Sequence, residues 1–530
     1  MSTPPAVLET AEAAIARCAW REAVALLREA AVEEHTRTVL ERLAFAAWWL
    51  DDEEETVFAA REEAFRMARA AGDVKGAAQL AVLISWDHTF FRADHTVAEG
   101  WLSRAETLLE GCGECVERGW MLLRRAALLA PTDGEAAGRL ADEALQVARA
   151  EEATDLEVAA ISLSGLVLVE RGSLEVGMRR LAEGAAAACG GETDHPVAVT
   201  LACCYTIGAC ERARDFQRAG QWVSQMVEKF DRSNRPSFAS LCRAQYGAVL
   251  LALGDWREAG SVLAREAEAL RTTAPSMASF ALVRLAELRR RQGRAPEALA
   301  LVEQAEPHPA CLLVRAELAL DSGRPDEAVD HATAHLRRTA PERVLERAQA
   351  LELVVRAYAA AGAEAEAAAA AQELRSLVSA LRVPAFNASA RFATGIAAAA
   401  ADELQDARDA LDDAAVSFEQ CRMPWEAAQA WRAAAEADAR LGRVAAAARE
   451  RGRSDTLLRE LAGPRDGDLL SRREREVLSL VAAGLNDGGI AAQLVLSRHT
   501  VHRHVANAMR KLGTSTRAAA VARAAQLGLL

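Results

Sequence analysis

One phrase recurs through the first 460 residues and limits what the chain can fold into. A glycine is followed within two or three residues by an acidic or polar residue with alanine, and then by apolar residues at i, i+3 and i+4. It reads Gly254-Asp255-Trp256-Arg257-Glu258-Ala259, returns as Gly293-Arg294-Ala295-Pro296-Glu297-Ala298 and Gly323-Arg324-Pro325-Asp326-Glu327-Ala328, and survives in weaker form from Gly362 to Ala367. Earlier variants are Cys18-Ala19-Trp20-Arg21-Glu22-Ala23 and Asp215-Phe216-Gln217-Arg218-Ala219. The phrase predicts a helical hairpin. Glycine closes the first helix, because only glycine takes the left-handed conformation cheaply. Proline is tolerated in the first turn of the second helix, where its missing N–H has no partner to lose. Glutamate there meets the positive end of the helix dipole, and alanine lets the two helices approach closely.

The better copies lie roughly 30 to 40 residues apart, the period of stacked helix pairs. With Tyr246-Gly247 preceding Gly254, and Trp256 and Ala259 following it, this stretch resembles the tetratricopeptide repeats. The resemblance implies a helical solenoid whose concave face binds a peptide, protein or small-molecule effector, or serves as a dimerisation body. Composition agrees. Aromatics are only 5% and alanine is abundant in a chain that is 51% hydrophobic, which favours an almost wholly α-helical protein. The segment Leu461 to Asp468, with its glycine, proline and aspartates, breaks the helical pattern and reads as a linker. The expected organisation is therefore a repeat region over 1–460, a linker over 461–468 and a separate domain over 469–530.

That last domain has the opposite charge to the body. Nine Arg/Lys and five Asp/Glu lie between Asp466 and Leu530, a net of +4, which leaves −17 on the rest of a chain of net charge −13. A basic end on an acidic body points to nucleic acid as the partner of that end. Four helices are expected there. Ser471-Arg472-Arg473-Glu474 is a capping box that opens a helix burying Val477, Leu478 and Val481 and ending near Gly484. A short second helix spans about Asp487 to Val495, with Ile490, Ala491 and Leu494 apolar. Leu496-Ser497 makes a tight turn, and Ser497 caps a third helix that runs to Leu512. A fourth covers Thr516 to Leu527.

The third helix carries the functional expectation. Val501, Val505, Ala508 and Leu512 form one buried stripe. The opposite face offers His499, Arg503, Ala506 and Arg510, flanked by His502 and Asn507. Arginine and asparagine make bidentate contacts with guanine and adenine edges, and alanine allows close approach or touches a thymine methyl. We assign His499, His502, Arg503, Ala506 and Asn507 to bases in the major groove, and Arg498, Thr500, Arg510 and Lys511 to phosphates.

Leu470-Ser471-Arg472-Arg473-Glu474-Arg475-Glu476-Val477-Leu478, Ile490-Ala491, Ser497-Arg498-His499-Thr500-Val501-His502-Arg503-His504 and Lys511-Leu512-Gly513, in that order, resemble the LuxR/NarL-type helix-turn-helix. The resemblance covers about an eighth of the chain. It implies a DNA-binding transcription regulator, and places His502, Arg503 and Ala506 where family members often read bases, with Arg503 foremost. One departure stands out: the family usually has a lysine-glutamate-like pair before Ile-Ala, and Gly488-Gly489 replaces it here. Glycine costs up to ~1 kcal/mol relative to alanine inside a helix, which predicts a frayed start to the second helix and DNA binding that depends on dimerisation or effector state.

Other classes are disfavoured. None of the three lysines, Lys75, Lys229 and Lys511, follows a glycine, so no phosphate-cradling loop is present. The helical N-terminal region does not fit a receiver domain with an aspartate nucleophile, and repeats over 460 residues do not fit an acyl-homoserine-lactone domain. Cys112-Gly113-Glu114-Cys115 lacks the second ligand pair of a zinc site and reads as loop thiols. His331 and His335 share a helical face without a catalytic glutamate, and read as a solvated or half-buried pair. Asp51 to Glu55 reads as a solvated acidic turn. Cys203, Cys204, Cys210 and Cys242 sit on apolar helical runs as free thiols. No nucleophile–base constellation, metal site or cofactor is expected. Neither is a membrane span, since no segment reaches ~18 uninterrupted apolar residues, nor a signal peptide after Met1-Ser2-Thr3-Pro4-Pro5, so a cytoplasmic location follows. The expectation is an all-α protein, a tetratricopeptide-like solenoid followed by a four-helix LuxR-type domain, acting on double-stranded DNA as a homodimer. The alternative is an interaction scaffold whose basic end tethers it to nucleic acid without sequence preference.

Overall fold

The structure is a computed structural model that describes residues 4–50, 52–232, 236–273, 275–306, 308–462, 470–527 and 529–530. Among them lie 28 helices, numbered α1 to α28 in chain order, and no strand. No described helix is long and apolar enough to cross a membrane.

Each of the first 24 helices packs against its sequence neighbour, as expected of helical hairpins of the tetratricopeptide-like kind. The turns explain why. Gly254, Gly293, Gly323 and Gly362 all have positive φ, from +67° to +86°. At Gly254 the chain folds back so that Asp255 N–H reaches Leu250 O at 2.9 Å and Gly254 N–H reaches Leu251 O at 3.2 Å, which satisfies carbonyls the helix end would otherwise orphan. Pro296 and Pro325 stand in the first turns of the helices that follow. The irregular copies use the same turn without glycine: Cys18, Arg214, Asp402 and Arg422 are left-handed at φ +55° to +62°. The repeats drift in sequence because the turn, and not its residue, is preserved.

Neighbouring hairpins rotate into a superhelix. Helices ten apart meet: α5 (Val74–Arg92) with α15 (Pro275–Arg291), α9 (Thr154–Glu170) with α19 (Val344–Ala360), and α13 (Pro236–Leu253) with α23 (Pro424–Arg440). The core runs along the interior of this coil as alanine, leucine and valine layers, with Trp20 and Trp431 fully buried. Cys203, Cys210 and Cys242 are buried and Cys204 half-buried, all as free thiols, and burial pushes the Cys204 and Cys210 thiols up to about 12.

Some expectations need correction. The helix preceding the expected linker, α24 (Val444–Ala462), runs two residues beyond 460. The remainder of the linker call, from 463, lies outside the described residues, as does Asp51 of the acidic run. Glu54 and Glu55 open α4 (Glu54–Ala70) and both pair with Arg92. His335 is not solvated. It is buried, with Nδ1 3.2 Å from Pro309 O and Nε2 3.3 Å from Glu346, because the inner wall of the superhelix closes over it, while His331 stays half-buried.

Candidate nucleic-acid interface

Four helices follow the repeats: α25 (Arg472–Ala482), α26 (Asp487–Leu494), α27 (Arg498–Leu512) and α28 (Arg517–Gln526). Each start is capped by the residue the sequence offers. Ser471 Oγ accepts from Glu474 N–H at 3.2 Å, and Glu474 Oε2 accepts from Ser471 N–H at 2.7 Å. Ser497 Oγ accepts from Thr500 N–H at 3.0 Å, and Thr516 Oγ1 from Ala519 N–H at 3.2 Å. The double glycine does not undo α26. Asn486 Oδ1 accepts from Gly489 N–H at 2.8 Å, which fixes the first turn that glycine alone would leave loose. A Cβ on Gly488 would stand 3.1 Å from the Arg498 guanidinium, so this glycine leaves room for an arginine at the start of the next helix.

Two small cores hold the bundle. Val477, Ile490, Ala491, Leu494, Val501 and Val505 form one, and Leu470, Leu478, Ala508, Leu512, Ala520 and Ala524 the other. The expected stripe of α27 is therefore buried, and Val481 lies half-buried at its edge. Between α26 and α27 the chain turns at Val495, left-handed at φ +57°. Leu496 N–H closes the turn onto Ala491 O at 2.9 Å, and the orphan Leu494 O accepts from Arg473 at 3.0 Å and from Arg422 of the repeat region at 3.2 Å.

On the outer side of α27 the structure exposes Arg498, His499, His502, Ala506 and Arg510. The other predicted residues are placed differently. Arg503 and Asn507 are half-covered, because this flank of α27 faces α14 (Trp256–Thr273) of the repeats. Arg503 is ion-paired and hydrogen-bonded to Glu258 there. Thr500 is buried, with its hydroxyl 2.8 Å from Ser497 Oγ. Tyr246 lies against Thr500 and Arg503, and burial raises its phenol above the usual value despite the arginine. Lys511 is not free for a phosphate: its Nζ donates to Glu474 Oε1 at 2.6 Å. Burial would raise the Glu474 carboxyl, but Lys511 and the Ser471 amide outweigh it and hold that carboxyl below its ordinary range.

Sequence reasoning missed His504. It is buried on the same flank, 4.0 Å from Glu258, and burial together with Arg503 and Arg473 pulls it down to about 4, so it is neutral near pH 7. Its place two positions off the exposed face was the available signal. A cleft of about 420 Å³ separates α27 from the repeats, with Arg257, Glu258 and Arg265 on one wall and Arg473, Asn507 and Arg510 on the other.

A short helix, a tight turn and a longer capped helix with a basic outer face define a helix-turn-helix DNA-binding protein. Residues 468–524 match the family model described as bacterial regulatory proteins, luxR family. The spore germination protein GerE of Bacillus subtilis is 42% identical over 62 residues, which are 12% of this chain and 84% of that protein. The chain belongs to the luxR family of bacterial regulatory proteins. A probable transcriptional regulatory protein NarL of Mycobacterium tuberculosis is 47% identical over 73 residues, 14% of this chain, and the chain spans about a third of that relative's length (33%). Among solved structures, the APC/C hetero-tetramer Cut9-Hcn1 aligns over 98% of this chain and 96% of its own at 13% identity and a TM-score of 0.46. A Rap protein complexed with competence and sporulation factor aligns over 73% of this chain and 99% of its own, at 13% identity and a TM-score of 0.41.

Proposed function

We propose that the chain is a transcription regulator that reads double-stranded DNA through α27 in the major groove, and that the repeat region over 1–460 holds this helix closed until a partner or ligand releases it. The carrying observation is Arg503. It sits where the family's base-reading residues fall, on a helix whose opposite side is buried, and Glu258 of the repeats occupies it in place of a base. His499, His502 and Ala506 are exposed to meet base edges beside it, with Asn507 half-covered on the flank that would open. Arg498 and Arg510 reach the phosphates on either side. Thr500 and Lys511 support the helix from within. The domain over 469–530 binds as a homodimer in the cytoplasm, its two recognition helices on half-sites in register with the helical repeat.

Selection of bound fragments from random duplexes, followed by footprinting with the full chain and with Glu258→Gln, tests this reading. A defined protected site is expected, occupied at lower protein concentration by Glu258→Gln. Equal affinity for unrelated duplexes at physiological salt would replace it with that of a scaffold tethered to nucleic acid.

A further inference from the structure

The inner wall of the superhelix holds a second site, away from α27. Helices α11 (Pro196–Arg212), α15, α17 (Cys311–Asp321), α19, α21 (Pro384–Ala400) and α23 line a cavity of about 350 Å³, within the ~300–1,000 Å³ that small-molecule sites occupy. Its lining is arginine and glutamate in near balance, interrupted by Phe280, Phe392 and Trp425.

Two properties separate this chamber from an ordinary lattice of surface ion pairs. The first is burial: the side chains of Arg290 and Arg291 are only 4% and 9% exposed. The second is incompleteness. Arg291 spends Nη2 on Glu287 at 2.6 Å and Glu426 at 3.3 Å, and its Nε and Nη1 have no hydrogen-bond partner. Arg290 gives Nη1 to Asp321 at 2.9 Å and keeps Nε unpaired. Glu352 and Glu426 each retain a buried Oε2 without a hydrogen bond. The nearest cation to Glu352 Oε2 is Arg214, at 3.9 Å. Burial pushes the Glu352 carboxyl up, and neighbouring Glu426 adds to the rise. Buried donors and acceptors are normally satisfied, and here the unpaired donors and unpaired acceptors belong to side chains that line one cavity.

We propose that this chamber binds a small zwitterion, a free amino acid or a short peptide with free termini, its carboxylate on the unpaired N–H groups of Arg290 and Arg291, reached by a small shift of these side chains, and its ammonium between Glu352 and Glu426. Guanidinium groups match a carboxylate in a planar, two-pronged geometry. A cation between two crowded carboxylates relieves the repulsion between them. The indole of Trp425, 5.7 and 5.4 Å from the two guanidiniums, fixes them in place. The same ring lies 5.6 Å from Trp256, which opens α14, and Glu258 follows two residues later. Arg422, just before α23, holds the α26 carbonyl of Leu494. The chamber, through Trp425 of α23, therefore touches α14, the helix that carries the clamp on Arg503, which gives the zwitterion a route to the DNA-binding helix. That regulatory consequence rests on the proposed function; the binding itself does not.

Equilibrium dialysis of the full chain tests it, with retained compounds read by mass spectrometry, against three mixtures: the free amino acids, di- and tripeptides with free termini, and the same peptides N-acetylated and C-amidated. Retention is expected from one of the first two mixtures, with a raised Tm, and none from the capped one; which mixture it is identifies the ligand as amino acid or peptide. Glu426→Gln, and Glu352→Gln as a second isosteric variant, should weaken retention by about tenfold or more while keeping the far-UV circular dichroism of the parent. No retention from any mixture, equal retention of capped peptides, or undiminished binding by both folded variants would overturn the proposal. Retention is read without DNA, so its failure leaves the DNA selection standing, and failure of that selection leaves retention standing.

Discussion

In the proposed regulator, Arg503 is the side chain in which DNA reading and its suppression would meet, and its partner would decide which prevails. The pair with Glu258 is half-solvated, 39% and 24% exposed, so screening limits it to about 0.2–1 kcal/mol. Glu258→Gln should therefore raise affinity for the selected site by about 1.4- to fivefold in fluorescence anisotropy titrations. Arg503→Ala removes both the pair with Glu258 and the proposed base contact. It should cost ~1–3 kcal/mol on the specific site and relax base preference at one position; equal losses on specific and random DNA would contradict its role. Lys511 behaves differently from what its place near the face suggests. Its ammonium completes the capping box through Glu474, whose side chain is 5% exposed, so Lys511→Ala leaves a buried carboxylate without its cation. The expected result is a loss of about 1–3 kcal/mol in stability with the salt slope of DNA binding unchanged; a slope flattened by about one would return Lys511 to the phosphates. The pH dependence follows from the lowered native value of Glu474. Its contribution is complete above the ordinary carboxylate pKa of about 4.3 and is lost as acid passes below that towards the native value, so unfolding of Lys511→Ala should be less acid-sensitive below about pH 4.5.

Turns are the element on which the repeats depend, and two glycines separate strain from collision. Gly293 is left-handed at φ +74°, with nothing within 4 Å of where a Cβ would stand. Gly293→Ala should cost about 1–2 kcal/mol through backbone conformation alone. Gly254, at φ +86°, would place a Cβ 2.6 Å from Leu461 and 2.8 Å from Pro424. Gly254→Ala should cost more, measured by denaturant unfolding, and should disturb the joint with the DNA-binding helices because Leu461 lies in the last turn of α24. These glycine turns, the capping box at Ser471–Glu474, the Ser497 cap and the apolar stripe of α27 were legible in the sequence because each is a short-range pattern with its own steric or hydrogen-bonding cause. The left-handed turns at Cys18, Arg214, Asp402 and Arg422 were hidden or only half visible, since an ordinary side chain stands where glycine is expected. The order within α26 was misjudged for a related reason: the cost of Gly488-Gly489 is readable, but the compensating cap of Asn486 onto Gly489 shows only in the folded turn.

What no local pattern contains is contact across the superhelix. Arg503 meets Glu258 from 245 positions away, and the charged chamber draws on helices from α11 to α23, so neither could be read along the chain. The same geometry makes the closed arrangement conditional. The joint between repeats and DNA-binding helices is built largely from charged groups: Arg503 with Glu258, Arg472 with Glu460 at 3.3 Å, and Arg422 on a backbone carbonyl at 3.2 Å. Such a joint weakens with salt, and a ligand needs to favour the open state by only a small margin to shift the population. Salt then acts twice on DNA binding. It weakens the protein–phosphate term in proportion to the phosphates neutralised, and it frees α27 by loosening the joint. The wild-type chain should therefore lose affinity with rising salt less steeply than Glu258→Gln, in which part of the second effect is already spent. Parallel log–log slopes for the two proteins would mean that the pair does not restrain α27 in solution; a steeper slope for the variant would identify the joint as a salt-sensitive restraint set by the repeats.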